Sequence, residues 1–338
     1  MKKIALLLLV VFASVSLFGC NNSEFKVDGE FTAYEVSVSR NAPQVTMVTV
    51  TIKDGAIVDY AIDVRQGART QNATTLAYSF AWNTSTKNEL GFNYKMHYAA
   101  YTATLADAAT ATITGYQTWL GANAKFEWFQ QADKIEAAWL ANGVTSVTKN
   151  ADGDIDNVAG VTISDGGYLD LAVEAVELAK LGKFQAVKAV GTDLYIATMT
   201  VDAKGEVSDL KLDVLQATKD AAAGTFVWHT ETKQQKGFNY KMHYTTYTAS
   251  LADAATATIA GYQTWLTANN KLEWFQQANL ITDYVMENGW NGDLKPINPT
   301  GKGVSLYGKT ALDGFASVSV SSQSYFDVLA ALFAKVHN

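Results

Sequence analysis

The stretch "GFNYKMHYAAYTATLADAATATITGYQTWLGANAKFEWFQQADKI", Gly91 to Ile135, returns almost unchanged as "GFNYKMHYTTYTASLADAATATIAGYQTWLTANNKLEWFQQANLI", Gly237 to Ile281. The offset from Gly91 to Gly237 and from Ile135 to Ile281 is the same 146 residues, and Trp82, Trp119 and Trp128 recur as Trp228, Trp265 and Trp274. Solenoid repeats have periods of about 20–50 residues, so this spacing indicates two tandem homologous domains. The boundary falls at Leu181-Gly182-Lys183, which divides the chain into residues 26–182 and 183–338.

Each copy shows the same order of patterns. Alternating apolar runs come first: "FTAYEVSV" and "QVTMVTVTIKDGAIVDYAIDV" in one copy, "LYIATMTVDAKGEVSDLKLDV" in the other. Asp54-Gly55 and Lys204-Gly205 sit between such runs and predict hairpin turns. The repeated middle is mostly helical: Tyr116, Trp119, Leu120, Phe126, Phe129 and Ile135 fall at roughly helical spacing. A closing helix is predicted over Gly166–Lys180, with a counterpart over Gln323–Val336. Its stripe is Leu169, Ala172, Val173, Val176 and Ala179, with Ser164 or Asp165 as N-cap. Antiparallel strands followed by helices, twice over, predict an α+β fold.

The 338 residues are 48% hydrophobic and 17% charged, with a net charge of −7. Such a chain can build a packed core, and its acidity with no basic stripe excludes nucleic acid as a partner. At the amino terminus, Lys2 and Lys3 precede the apolar run "IALLLLVVFASVSLF", which is short for a membrane span and matches a secretory signal. The following "SLFGC" resembles the lipobox of bacterial lipoproteins. That resemblance implies cleavage after residue 19, acylation of Cys20 by membrane lipid, and a tether over residues 20–25 on the extracellular face of the cell membrane. Cys20 is the sole cysteine, so disulfides and cysteine-ligated metals are excluded.

Ahead of the first closing helix stands "DNVAGVTISDGG", Asp156 to Gly167. Thr162 offers a hydroxyl before a helix amino terminus, where free amides and the dipole favour a phosphate. Gly160 beside it lets another molecule approach the backbone. A capping role for such a hydroxyl is the plain alternative.

The order Asp156, Val158, Gly160, Thr162, Ser164 and then helix resembles the attachment motif of FMN-binding domain proteins. Ala159 and Val161 depart from the residues usual there. "ELGFNYKMH" (Glu89–His97) and "EWFQQA" (Glu127–Ala132) are similar to further motifs of that family. The resemblance implies that a flavin transferase esterifies FMN, through its phosphate, to Thr162, with Asp156 assisting. In the second copy, "LDGFASVSVSS" aligns Asp313 and Ser319 with those positions. Glu89, Leu90, Gly91, Tyr94 and Met96, with Gly237, Tyr240 and Met242, are then expected near the flavin ring: glycine permits close approach, tyrosine and methionine supply contact. The implied function is that of the family's lipid-anchored, two-domain members. They are electron carriers rather than enzymes with their own substrates, passing electrons from a membrane quinone or NADH dehydrogenase to an extracellular acceptor. The alternative is a surface adhesion lipoprotein that uses the same folds without flavin.

His97 and His243 recur in "YKMHY", but no further ligands stand at metal spacing around them. Asp152 and Asp154 resemble the start of a calcium loop that lacks its closing glutamate. No phosphate loop, zinc signature or Ser-His-Asp order is present.

Overall fold

Between Lys53 and Ala56, Asp54 and Gly55 both take positive φ, 53° and 71°, in the expected two-residue hairpin turn. The computed structural model describes residues 24–292, 294–296, 304–306, 318, 320 and 323–337, so Cys20, Asp313 and Ser319 lie outside the described residues. That turn joins β2 (Ala42–Lys53) to β3 (Ala56–Gln71); β1 (Gly29–Ser39) and β4 (Tyr78–Trp82) complete an antiparallel sheet in the order β1-β2-β3-β4. The second copy repeats it as β5 (Lys183–Val190), β6 (Asp193–Val201), β7 (Val207–Asp220) and β8 (Thr225–Trp228), in the order β5-β6-β7-β8.

Helices follow the strands in each copy. The first has α1 (Lys87–Leu90), α2 (Tyr98–Thr102), α3 (Ile113–Ala122), α4 (Trp128–Asn142) and α5 (Tyr168–Leu181). The second has α6 (Lys233–Lys236), α7 (Tyr244–Ala249), α8 (Ile259–Ala268), α9 (Trp274–Asn288) and α10 (Ser324–Phe333). A short antiparallel pair, β9 (Leu294–Pro296) and β10 (Val304–Leu306), lies between α9 and α10. The fold is α+β in two units, as the repeat predicts.

Alternation in β2 buries Val48, Val50 and Ile52 on one face, and α5 lies across β1 and β2 to cover them. The helix α4 covers β3 with Trp128, Ala132, Ile135 and Trp139, spaced by three to four residues. Each fully buried side chain of this kind contributes about 1.5–3 kcal/mol relative to exposure.

Three local expectations are corrected. The apolar middle is two helices rather than one: Ala124 takes φ of 49°, and Glu127 starts α4 with a capping box to Gln130. The buried stripe of α5 is Leu171, Ala172, Ala175, Val176, Leu178 and Ala179; Ala172, Val176 and Ala179 fall in it as expected, while Val173 faces solvent. The helix also begins later, at Tyr168, behind Gly167 in the left-handed region.

The two units share one core. Phe31 of β1 meets Phe184 of β5 with ring centroids 4.2 Å apart. Trp82 donates through Nε1 to Gly191 O and Trp228 to Ser37 O, each at 3.0 Å, so each unit caps a carbonyl of the other. After α10 the chain returns to the start of β1, where Glu30 N–H donates to Lys335 O and Gly29 bridges Val336.

Candidate functional site

In the apolar stripe of α4 stands one buried amide, Gln131, and it ties together three separated stretches of sequence. Its Nε2 donates to Phe126 O at 2.9 Å and lies 3.6 Å from Met96 Sδ. Its Oε1 accepts the Thr162 amide at 2.7 Å and lies 3.3 Å from Thr162 Oγ1. One turn earlier, the carboxylate of Glu127 is wholly buried and fully engaged. It accepts from Met96 N–H at 3.0 Å, Tyr116 Oη at 2.6 Å and Trp128 N–H at 2.9 Å. Burial, followed by the bond to Glu127, pushes the Tyr116 phenol well above its usual range.

The second copy repeats this arrangement. Glu273 accepts from Met242 N–H, Tyr262 Oη and Trp274 N–H at 3.1, 2.7 and 2.8 Å. Gln277 reaches Leu272 O at 2.9 Å and Met242 Sδ at 3.3 Å, and accepts Val320 N–H at 3.2 Å. Val318 and Val320 are buried as Val161 and Ile163 are, on either side of Thr162.

Thr162 is exposed between those two buried neighbours, with its backbone fixed by Gln131. It does not stand at the mouth of α5, because that end is already capped. Asp165 accepts Leu169 N–H at 3.1 Å and pairs with Lys149 at 2.6 Å, so its carboxylate takes the place expected for a phosphate. Gly160 has φ of 81°, and a Cβ there would lie 2.7 Å from the Phe126 ring; the close approach it permits is to the protein's own side chain. Asp156 accepts from Thr148 Oγ1 at 3.0 Å and braces the loop that leads to Thr162.

Of the ring-contact candidates, Tyr94 and Met96 line a cleft of about 810 Å³, and Glu89, Leu90 and Gly91 do not. Glu89 instead closes the capping box of α1 with Thr86, and Gly91 follows as its C-cap with φ of 51°. A Cβ at Gly91 or Gly237 would meet nothing within 4 Å, so backbone conformation accounts for both glycines. Tyr240 and Met242 pack against the shared core beside Trp274.

The cleft carries Arg40, Arg69, Lys87 and Lys95, and no carboxylate among its described lining residues. Arg40 sits at the tip of the β1–β2 hairpin, where it and Asn41 both take positive φ. Arg69 is braced by the second unit, donating to Gly224 O at 3.1 Å and lying 4.8 Å over the Tyr78 ring. Lys87 is only 9% exposed. Its Nζ lies over the rings of Tyr94 and Trp128, at 5.1 and 4.9 Å. Burial, and then the charge of Arg40, bring its pKa down to about 8. Tyr168 closes the cleft, its phenol pushed up to about 12 by burial.

Sequence reasoning passed over Gln131, Glu127, Arg40 and Lys87. For the first there was a signal: a glutamine recurs inside an otherwise apolar stripe in both copies, at Gln131 and Gln277. The His97 ring contacts Phe126 O at 3.2 Å, a local structural bond. Among the described residues no cluster of three metal-ligating side chains occurs, and no helix is long and apolar enough to cross a membrane.

No protein-family model and no curated protein matches the chain. A solution NMR structure of a protein from Clostridium thermocellum aligns with 44% of this chain and 89% of its own, at 20% identity and a TM-score of 0.25, a likeness too slight to bear on fold or function.

Proposed function

We propose that the chain is a lipid-anchored flavoprotein of the extracellular face, acylated at Cys20, which carries FMN on Thr162 and relays electrons between a membrane donor and an extracellular acceptor. The observation that carries this reading is the convergence at Gln131. The three stretches that resemble the FMN-binding family ("YKM", "EWFQQA" and the Thr162 loop) meet on one buried carboxamide, although 31 and 35 residues separate Gln131 from Thr162 and Met96. When bound, the flavin would supply the redox chemistry, and the protein would supply position and electrostatics.

The chain's own residues fit such a role. Thr162 is an exposed residue on a backbone fixed by Gln131, which also accepts from its hydroxyl at 3.3 Å, and a modifying transferase would have to displace that bond. Tyr94 and Met96 offer flat and polarizable contact in the cleft, with Met96 linked to Thr162 through Gln131, and the cations of the cleft would favour a reduced, anionic ring. A membrane quinone or NADH dehydrogenase is the proposed donor. Ser319 is the corresponding proposal for the second copy.

The test is mass and absorbance of the chain made together with a flavin transferase. Wild type and Thr162→Ser should gain the mass of FMN less one water, lost in forming the phosphoester, and fluoresce after denaturation, and Thr162→Ala should lose the first-copy adduct. A colourless chain with no added mass would overturn the flavin reading and favour a surface adhesin.

A further inference from the structure

The surroundings of Lys87 in this cleft differ from those of Lys233, its counterpart in the second copy, and the difference is electrostatic. In the first copy Gln66 Nε2 donates to Gln44 Oε1 at 2.8 Å; in the second, Gln216 Nε2 donates to Asp193 Oδ1 at 3.0 Å. Strand register confirms the match, since Gln44 faces Gln66 and Asp193 faces Gln216. A neutral amide is thus replaced by a carboxylate. The β1–β2 hairpin also runs on through Val38–Pro43 and Ser39–Ala42 before its tip at Arg40. The β5–β6 hairpin stops at Val190–Asp193, so its tip does not extend to Arg40's place.

These changes leave two buried lysines in differently charged surroundings. Lys233 is 7% exposed and packs on Tyr240 and Trp274 as Lys87 packs on Tyr94 and Trp128. Asp193 and Asp213 act on Lys233 as nearby counter-charges. Asp63 acts on Lys87 as Asp213 does on Lys233, and neither lysine has a carboxylate within ion-pair distance among the described residues; the copies differ in that Lys87 has Arg40 nearby where Lys233 has Asp193. Lys87 lines the cleft with no protein acceptor for its ammonium among the described residues, and an anionic ligand there would supply one.

We propose that the first-copy cleft is a non-covalent site for a phosphate monoester carrying an aromatic ring, with Lys87 and Arg40 holding the phosphate and Tyr94 and Tyr168 flanking the ring. The second copy, neutralised by its own Asp193, does not bind this ligand. The site stands on the cleft's own residues and does not depend on a bond at Thr162.

The full chain carrying Thr162→Ala, purified in detergent without a flavin transferase, tests this by calorimetric titration with FMN, AMP, riboflavin and inorganic phosphate. FMN or AMP should bind at one site per chain. Riboflavin, which has the ring without the phosphate, should bind at least about tenfold more weakly, and phosphate should compete. Binding of FMN but not AMP assigns the site to flavin nucleotides; binding of both assigns it to aromatic phosphates at large. Losing one charged partner should cost about 10- to 100-fold in affinity for Lys87→Met. Arg40→Gln, on an exposed hairpin tip, should also weaken binding without affecting folding. Lys233→Met should bind as the parent does. Riboflavin binding as tightly as FMN, two equal sites, no binding of any probe, or a loss that follows Lys233 would each overturn the proposal.

Discussion

Replacing Lys87 by methionine should make the ligand-free chain more stable. Lowering the lysine pKa from 10.5 to about 8 corresponds to a penalty of roughly 3 kcal/mol for holding the charge, at about 1.4 kcal/mol per unit. Solvent screens little of this, because the residue is 9% exposed. The ammonium recovers part of it from the Tyr94 and Trp128 rings, about 0.5–1 kcal/mol each. The net expectation for Lys87→Met at pH 7 is a gain of about 1–2 kcal/mol, since an unbranched apolar chain can fill the same channel. The assay is urea unfolding, comparing midpoints of variant and parent across pH. The penalty is complete below about pH 8, where both folded and unfolded states are charged. It disappears as pH rises from about 8 towards 10.5, because the folded lysine loses its proton first. Arg40 lowers this titration, Asp63 raises it, and Tyr94 and Tyr168 face the same cleft. The gap between the two proteins should therefore narrow over that interval. A variant less stable than the parent at pH 7, or a gap that persists to pH 10.5, would refute the reasoning.

Gly160→Ala places a Cβ 2.7 Å from the Phe126 ring at a φ of 81°; it should cost about 1–3 kcal/mol, and a variant as stable as its parent would show that the loop yields freely. Glu127→Gln removes an ionised acceptor from Met96 N–H, Tyr116 Oη and Trp128 N–H and should cost about 2 kcal/mol, with Glu273→Gln matching it; denaturation midpoints of the two variants measure both. Burial, together with Asp133, Asp59 and Asp63 and against the Ile62 amide, raises the Glu136 carboxyl from 4.5 to about 7. A raised acid stabilises the fold below about pH 4.5 and loses that contribution as pH rises through 7, so Glu136→Gln should flatten thermal stability over this interval; an unchanged slope would contradict the assignment. Gln44→Asp gives the first cleft the carboxylate that Asp193 gives the second, and should raise the Lys87 pKa, followed by NMR, and weaken FMN binding about tenfold.

The duplication, the α+β order and the Asp54-Gly55 hairpin were legible because each is written in local spacing. The break between α3 and α4 was not: periodicity averages over it, and it depends on Ala124 in a left-handed conformation and on a Glu127 cap. The position of Thr162 was half legible. An exposed hydroxyl beside a glycine was foreseen, but Asp165 claims the helix terminus and Gln131 claims the Thr162 amide. Neither could be read from adjacent residues, since Gln131 lies 31 positions away. Lys87 carried no signal in the sequence, because Tyr94 and Trp128, on which its ammonium packs, meet only in three dimensions.

What the two copies kept and what they changed follows from the cost of each change. Glu127 and Glu273 are wholly buried, with every bond made, and a substitution at either leaves polar groups stranded in the core. Gln131 and Gln277 each hold a sulfur, a carbonyl and an amide from three separate segments. Such residues vary only with their partners, and here both keep a sulfur and a carbonyl in matching places while the amide is that of Thr162 in one copy and of Val320 in the other. Hairpin length and a single amide-to-carboxylate exchange disturb no core contact, so Arg40 and Asp193 lie where divergence is inexpensive. Their effect on a ligand is nonetheless large, because each lies beside a buried ammonium poorly screened by water. A duplicated scaffold can thereby place two matching lysines in differently charged surroundings with its framework unaltered, and a difference in what each copy binds would need no difference in fold.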